Sequence, residues 1–117
     1  MQIVYASKTG NIKRFINKFF KEFIDNHIIT GNEIISKDCI LFTYTTGIGE
    51  IPKEVDLFIS NNLQHIKGVV GSGNKNWGLS YCKACDLIKN QYYIPILYKF
   101  ELSGNENDYL TLKEKLK

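Results

Sequence analysis

Five consecutive residues, Ser7-Lys8-Thr9-Gly10-Asn11, combine two hydroxyls, an amide, a lysine and a glycine. They follow a short apolar run, Ile3-Val4-Tyr5-Ala6, and precede apolar residues at Ile12, Phe15, Ile16, Phe19, Phe20, Phe23 and Ile24. The second set falls on one face of a helix, so the five residues form a strand-to-helix turn. The first backbone N–H groups of a helix lack partners within it, and the macrodipole adds partial positive charge there. A phosphate can take those N–H groups, the hydroxyls of Ser7 and Thr9 add donors, and Gly10 lets the backbone come close. The turn is neither G-x-x-x-x-G-K-[ST] nor G-x-G-x-x-G. By itself it reads equally well as an ordinary helix cap; the rest of the chain shifts the balance.

Two further polar stretches share its character. Thr43-Tyr44-Thr45-Thr46-Gly47-Ile48-Gly49-Glu50 closes the apolar run Cys39–Phe42, and Ser72-Gly73-Asn74-Lys75-Asn76-Trp77-Gly78 follows Gly68–Gly71. Together they offer hydroxyls, glycine backbone and large aromatics, Tyr44 and Trp77, with Tyr81 just beyond. Aromatic faces stack on planar rings. A flat aromatic ligand with a phosphate tail fits this inventory.

The elements between these loops alternate. A first strand leads into a helix from Asn11 to Phe23 or a little beyond, and a short edge strand near His27–Thr30 follows. The run Cys39–Tyr44 has the continuous apolar character of a parallel strand covered on both faces. Pro52 suits the first turn of a second helix, whose inner face is Val55, Phe58, Ile59, Leu63 and Ile66. The strand Gly68–Gly71, a third helix from Leu79 to Asn90, a strand Pro95–Phe100 and a helix Asn107–Lys117 with Leu112 and Leu116 inward complete the order. Parallel strands require crossover helices, so this is an α/β, doubly wound, five-stranded parallel sheet with helices on both faces. All three loops then leave the carboxyl ends of strands and converge on one crevice.

With 117 residues, 44% hydrophobic and 23% charged, the chain is expected to form one domain, residues 1–117, with a sizeable core. It opens on a strand rather than a leader, and no apolar run approaches the roughly 20 residues of a membrane span, so a cytoplasmic setting is expected. The net charge of +3 comes from scattered lysines, which describes a solvated surface rather than a nucleic-acid stripe. Neither nucleic acid nor membrane is an expected partner.

Cys82 and Cys85 form a C-x-x-C at the expected start of the third helix. A helix N-terminus can lower a thiol pKa, which would allow a redox pair. The spacing with Ile88 reads more simply as a core face, and no second pair or His cluster supports a metal. His27 and His65 fall at element ends and suit surface or capping roles.

The same residues carry a resemblance. Ser7-Lys8-Thr9-Gly10-Asn11 resembles the FMN phosphate loop of flavodoxins, whose sheet order is 2-1-3-4-5. Thr43-Tyr44-Thr45-Thr46-Gly47, Ile51-Pro52-Lys53, Gly71-Ser72-Gly73-Asn74-Lys75-Asn76-Trp77-Gly78 and the block Ile94 to Gly104 extend it to the NrdI family of flavodoxin-like stimulatory proteins of class Ib ribonucleotide reductase. The last two blocks are the specific ones; the phosphate loop alone says only flavodoxin.

The resemblance implies a non-covalently bound FMN whose reduced form meets oxygen. The product would be a superoxide- or peroxide-level oxidant for the dimanganese–tyrosyl radical site of the reductase's small subunit. An electron-donating reductase would feed the flavin, and the protein would be a redox activator rather than a turnover enzyme with catalytic side chains. Ser7, Lys8, Thr9, Gly10, Asn11 and Ile12 would surround the phosphate. Thr43, Tyr44, Thr45, Thr46 and Gly47 would lie along the ring, with Ser72, Gly73, Asn74, Asn76, Trp77, Gly78 and Tyr81 closing its other side. The second loop, at Ile48, Gly49 and Glu50, matches the family least well. A general one-electron carrier shares every one of these residues. A receiver-like domain would need clustered carboxylates at strand ends, and a low-mass tyrosine phosphatase C-x5-R in the first loop; both patterns are absent.

Overall fold

The structure, a computed structural model, describes residues 2–20 and 25–116. The strands are β1 (Gln2–Tyr5), β2 (Asn26–Ile28), β3 (Cys39–Thr43), β4 (Ile66–Gly73) and β5 (Ile96–Glu101). The helices are α1 (Asn11–Phe19), α2 (Lys53–Asn62), α3 (Lys83–Tyr92) and α4 (Glu106–Lys115). All strand pairs are parallel, in the order β2-β1-β3-β4-β5. The chain steps from β1 to β2 on one side and returns to β3 on the other. That reversal places the crevice between the loops after β1 and β3.

Residue alternation along the strands splits the core into two layers. Val4, Leu41 and Val69 face α2 and α3, where Val55, Phe58, Ile59, Cys85 and Ile88 are buried. Ile3, Tyr5, Ile40, Phe42, Val70 and Phe100 face α1 and α4, where Ile12, Phe15, Ile16, Phe20 and Leu112 are buried. The rings of Phe15 and Phe100 stack at 4.3 Å between centroids, pinning α1 over the far edge of the sheet.

Several boundaries differ from the sequence expectation. The first helix ends at Phe19 with Phe20 as its cap; its expected continuation to Phe23 lies outside the described residues, as does Lys117 at the end of the last helix. Ile66 belongs to β4 rather than to the second helix, because Leu63–His65 tightens into a 3-10 turn first. The third helix begins at Lys83 instead of Leu79. Lys75–Ser80 forms 3-10 turns broken at Gly78, and Cys82 sits in the left-handed region at φ 51°. The edge strand covers Asn26–Ile28, ending before Thr30.

Close approach of α3 to the sheet depends on Gly71. A Cβ there would lie 2.5 Å from Cys85 Sγ and 3.3 Å from Cys82 Cβ. Both thiols are therefore packing groups against β4. Burial pushes the Cys82 thiol up to about 11, in spite of the Tyr81 hydroxyl and the Lys99 ammonium nearby. Burial and the neighbouring Cys82 raise Cys85 as well. Such thiols are poor nucleophiles, which favours the core-face reading over a redox pair. Among the described residues no group of His, Cys, Asp or Glu could hold a metal ion.

Candidate functional site

The three loops meet in one cleft of about 380 Å³, within the usual range for small-molecule sites. One end is the N-terminus of α1. Gly10 is its N-cap, at φ 89°, where a side chain would be strained, and no side chain caps the helix. The nearest candidate, Ser7 Oγ, is a long 3.5 Å from the Lys13 N–H. By contrast, α4 carries a full capping box from Asn105 and Asp108. The α3 N-terminus is met from a distance by Thr45, whose Oγ1 accepts from the Ala84 N–H at 3.0 Å. The first turn of α1 is thus left open to the cleft, with Ser7, Lys8, Thr9, Asn11 and Ile12 lining it. Its donor set suits a phosphate.

Away from α1 the cleft gains aromatic and apolar surface: Tyr44, Trp77 and Leu102 line it together with Thr45, Thr46, Gly47, Ser72, Gly73 and Asn74. Trp77 is 51% exposed, more than a packing role would leave it. Tyr44 donates its hydroxyl to Glu54 Oε2 at 2.8 Å, fixing the ring between β3 and α2. Burial, the hydrogen bond and the charge of Glu54 together push its pKa up to about 12.

The second loop closes as a small antiparallel bridge. The Thr46 N–H donates to the Glu50 carbonyl at 2.9 Å and the Glu50 N–H to the Thr46 carbonyl at 2.8 Å. Gly47 and Gly49, both at positive φ, make the turn between them. Ile48 at its tip is 94% exposed. The third loop is tied to the end of β5: the Ser72 hydroxyl donates to the Leu102 carbonyl at 2.5 Å, and the Leu102 N–H donates to the Gly73 carbonyl at 2.9 Å.

Five of the residues expected along the ligand do not line this cleft. Gly10 shapes the turn from behind. Thr43 is buried within β3 and gives its hydroxyl to the Tyr44 carbonyl at 2.8 Å. Asn76 contributes its N–H to Asn74 Oδ1 at 2.9 Å, which holds the third loop. Gly78 faces open space, with no atom within 4 Å of where its side chain would begin. Tyr81 turns to a neighbouring cleft with Lys75, Tyr98 and Lys99. Leu102 is the lining residue that residue-type reasoning passed over. Its signal was its place at the carboxyl end of the last strand, where a parallel sheet also presents ligand loops.

A parallel sheet ordered 2-1-3-4-5, with an open helix N-terminus and aromatic walls at the switch point, defines a flavodoxin-like protein. Solved structures agree on the fold. A short-chain flavodoxin associated with a PDU bacterial microcompartment superposes with a TM-score of 0.76 at 21% identity, covering 97% of this chain and 91% of that one. Oxidised Flavodoxin 1 from Bacillus cereus gives 0.63 at 19% identity, covering 97% and 92%. The model of the family described as NrdI flavodoxin-like matches residues 3–114. Protein NrdI of Bacillus licheniformis is 43% identical over 108 residues, 92% of this chain and 81% of that protein. Protein NrdI of Macrococcus caseolyticus is 44% identical over 108 residues, 92% and 82% of the two chains. This chain belongs to the NrdI flavodoxin-like family.

Proposed function

We propose that the cleft holds FMN and that the protein activates the small subunit of class Ib ribonucleotide reductase. The observation that carries the flavin reading is the pairing, in one cleft, of the uncapped α1 N-terminus with Tyr44 and Trp77. The site's donors fit a phosphomonoester at one end and a planar ring system at the other. When bound and reduced, the flavin would supply electrons to oxygen and so provide a superoxide- or peroxide-level oxidant for assembling the dimanganese–tyrosyl radical cofactor. The chain's own work is to bind and orient. The N–H groups of the first turn of α1, with the hydroxyls of Ser7 and Thr9, would hold the phosphate. Tyr44 and Trp77 would hold the ring, with Gly47 offering bare backbone beside it.

The exposed Ile48, at the tip of the second loop, and Leu79, just after the third, offer apolar contacts to the partner subunit. An electron-donating reductase supplies the reducing equivalents, and the setting is the cytoplasm, where deoxyribonucleotides are made. No helix among the described residues is long and apolar enough to cross a membrane.

The test is radical assembly. The FMN-loaded protein is reduced without air and mixed with manganese(II) and metal-free small subunit. Oxygen is then admitted, and the tyrosyl radical is read by electron paramagnetic resonance. Radical that depends on this chain supports the proposal. No radical, from a protein that still passes single electrons to a haem acceptor, would assign it instead as a general one-electron carrier.

A further inference from the structure

Arg14 lies on the solvent side of α1, outside the cleft, yet its guanidinium is held at the phosphate loop. Nε donates to Ser103 Oγ at 3.0 Å, and Nη2 donates to Asn11 Oδ1 at 2.6 Å. Ser103 Oγ in turn donates to the same Asn11 oxygen at 2.8 Å, which closes a three-residue ring. Nη1 occupies the space beside Gly10, 2.7 Å from where a side chain would begin. A free arginine samples many rotamers, so one tied down on this many sides is more than a solvated charge.

The ring has a consequence for the donors in the cleft. With two hydrogen bonds arriving on Oδ1, the amide of Asn11 must present its nitrogen to Thr9, and Nδ2 donates to Thr9 Oγ1 at 3.2 Å. Thr9 thereby accepts through a lone pair and keeps its proton to give to an anion. The guanidinium also adds a full positive charge directly behind the turn that opens α1. The apolar end of the cleft has ties of its own, the Ser72–Leu102–Gly73 bonds, none of which involves Arg14.

We propose that Arg14 is a positioning residue, acting through Asn11 and Ser103, that makes the cleft select a phosphorylated flavin over its unphosphorylated counterpart. The inference rests on the flavin reading of the cleft. Its mechanism is geometric as well as electrostatic: Nε and Nη2 bond Ser103 and Asn11 while Nη1 fills the space beside Gly10, three places that the single nitrogen of a lysine ammonium cannot occupy together.

Affinities for FMN and for riboflavin, measured by quenching of flavin fluorescence on the wild type, R14K, R14Q and S103A, test it. Both Arg14 variants should lose at least about tenfold in FMN affinity, with riboflavin affinity staying within about twofold. S103A, which removes a single hydroxyl and carries the test should the Arg14 variants fold poorly, should lose about threefold for FMN alone. R14K binding FMN like the wild type would overturn the proposal, since charge would then suffice. Equal weakening toward both flavins, or variants whose selectivity matches that of an FMN-binding wild type, would also overturn it. A wild type that binds neither flavin would sink the flavin reading and this proposal with it.

Discussion

Replacing Gly71 with alanine tests whether Cys85 is a packing group. The new Cβ would stand 2.5 Å from Cys85 Sγ, about 1 Å inside the ~3.5–4.0 Å optimum for non-bonded heavy atoms. Neither partner has room to move, since Gly71 belongs to the interior strand β4 and Cys85 is fully buried on α3. Overpacking of this kind costs about 1–3 kcal/mol. Against it runs the loss of chain entropy in the unfolded state, which favours alanine by about 0.4–1 kcal/mol. Gly71→Ala alone should therefore destabilise by about 1–2 kcal/mol in urea unfolding. Cys85→Ala removes the obstructing sulfur and should by itself cost about 1 kcal/mol for the lost burial. In that background Gly71→Ala should be neutral or slightly stabilising, so the coupling between the two changes should exceed about 1 kcal/mol. The remaining contacts, at 3.3 and 3.4 Å to Cys82, call for shifts of only a few tenths of an ångström. An equal cost of Gly71→Ala in both backgrounds would refute the packing argument. It would also reopen the question of what the thiol is for.

Two further outcomes follow from the loop between β2 and β3. Burial alone would raise Glu33, but the N–H groups of Thr30, of Glu33 itself and of Gly31, with the Thr30 hydroxyl, hold it at about 2. Its folded-state pKa is depressed, so its stabilisation is fully present above the unfolded value of about 4.5 and is lost as pH falls through about 2. Allowing for solvent screening, Glu33→Gln should cost roughly 1–2 kcal/mol at pH 7, and the two unfolding curves should converge near the bottom of that range. A gap that persists unchanged there would contradict the assignment. Asn62, buried at the end of α2, donates to the carbonyls of Glu33 (2.8 Å) and Phe58 (2.9 Å) and accepts from the Ile35 N–H (2.7 Å). Asn62→Ala should cost about 2–4 kcal/mol by stranding those groups; a loss below about 0.5 kcal/mol would show that the loop relaxes to find other partners.

The sheet was readable from sequence because its signals are strong and local. Cys39–Phe42 is too apolar for a half-exposed strand, and three hydroxyl- and glycine-rich loops at strand ends point to one crevice. Element ends were less readable where tertiary contacts override local pattern. Ile66 sits at helical spacing from Ile59 and Leu63, yet pairing with Cys39 draws it into β4. Leu79 continues an apolar pattern that the backbone break at Cys82 separates from α3. The cleft's inner geometry was legible only in part. Ser7, Thr9 and Trp77 announce themselves by type, whereas Leu102 lines the cleft through backbone bonds to the third loop that no side-chain pattern encodes. Arg14 looks like one more solvated cation on an amphipathic helix until Ser103, distant in sequence, is brought against it.

The flavin reading stands or falls on uptake of the cofactor. Titrating the flavin-free protein with FMN, and following absorbance and fluorescence quenching, should show saturation at about one equivalent. Binding should weaken when Trp77 is replaced by alanine, by roughly the 0.5–1.5 kcal/mol that aromatic contacts contribute beyond area burial. A protein that takes up no FMN at micromolar concentrations would contradict the account at its centre, leaving the open α1 N-terminus and its aromatic walls to serve some other phosphorylated ligand.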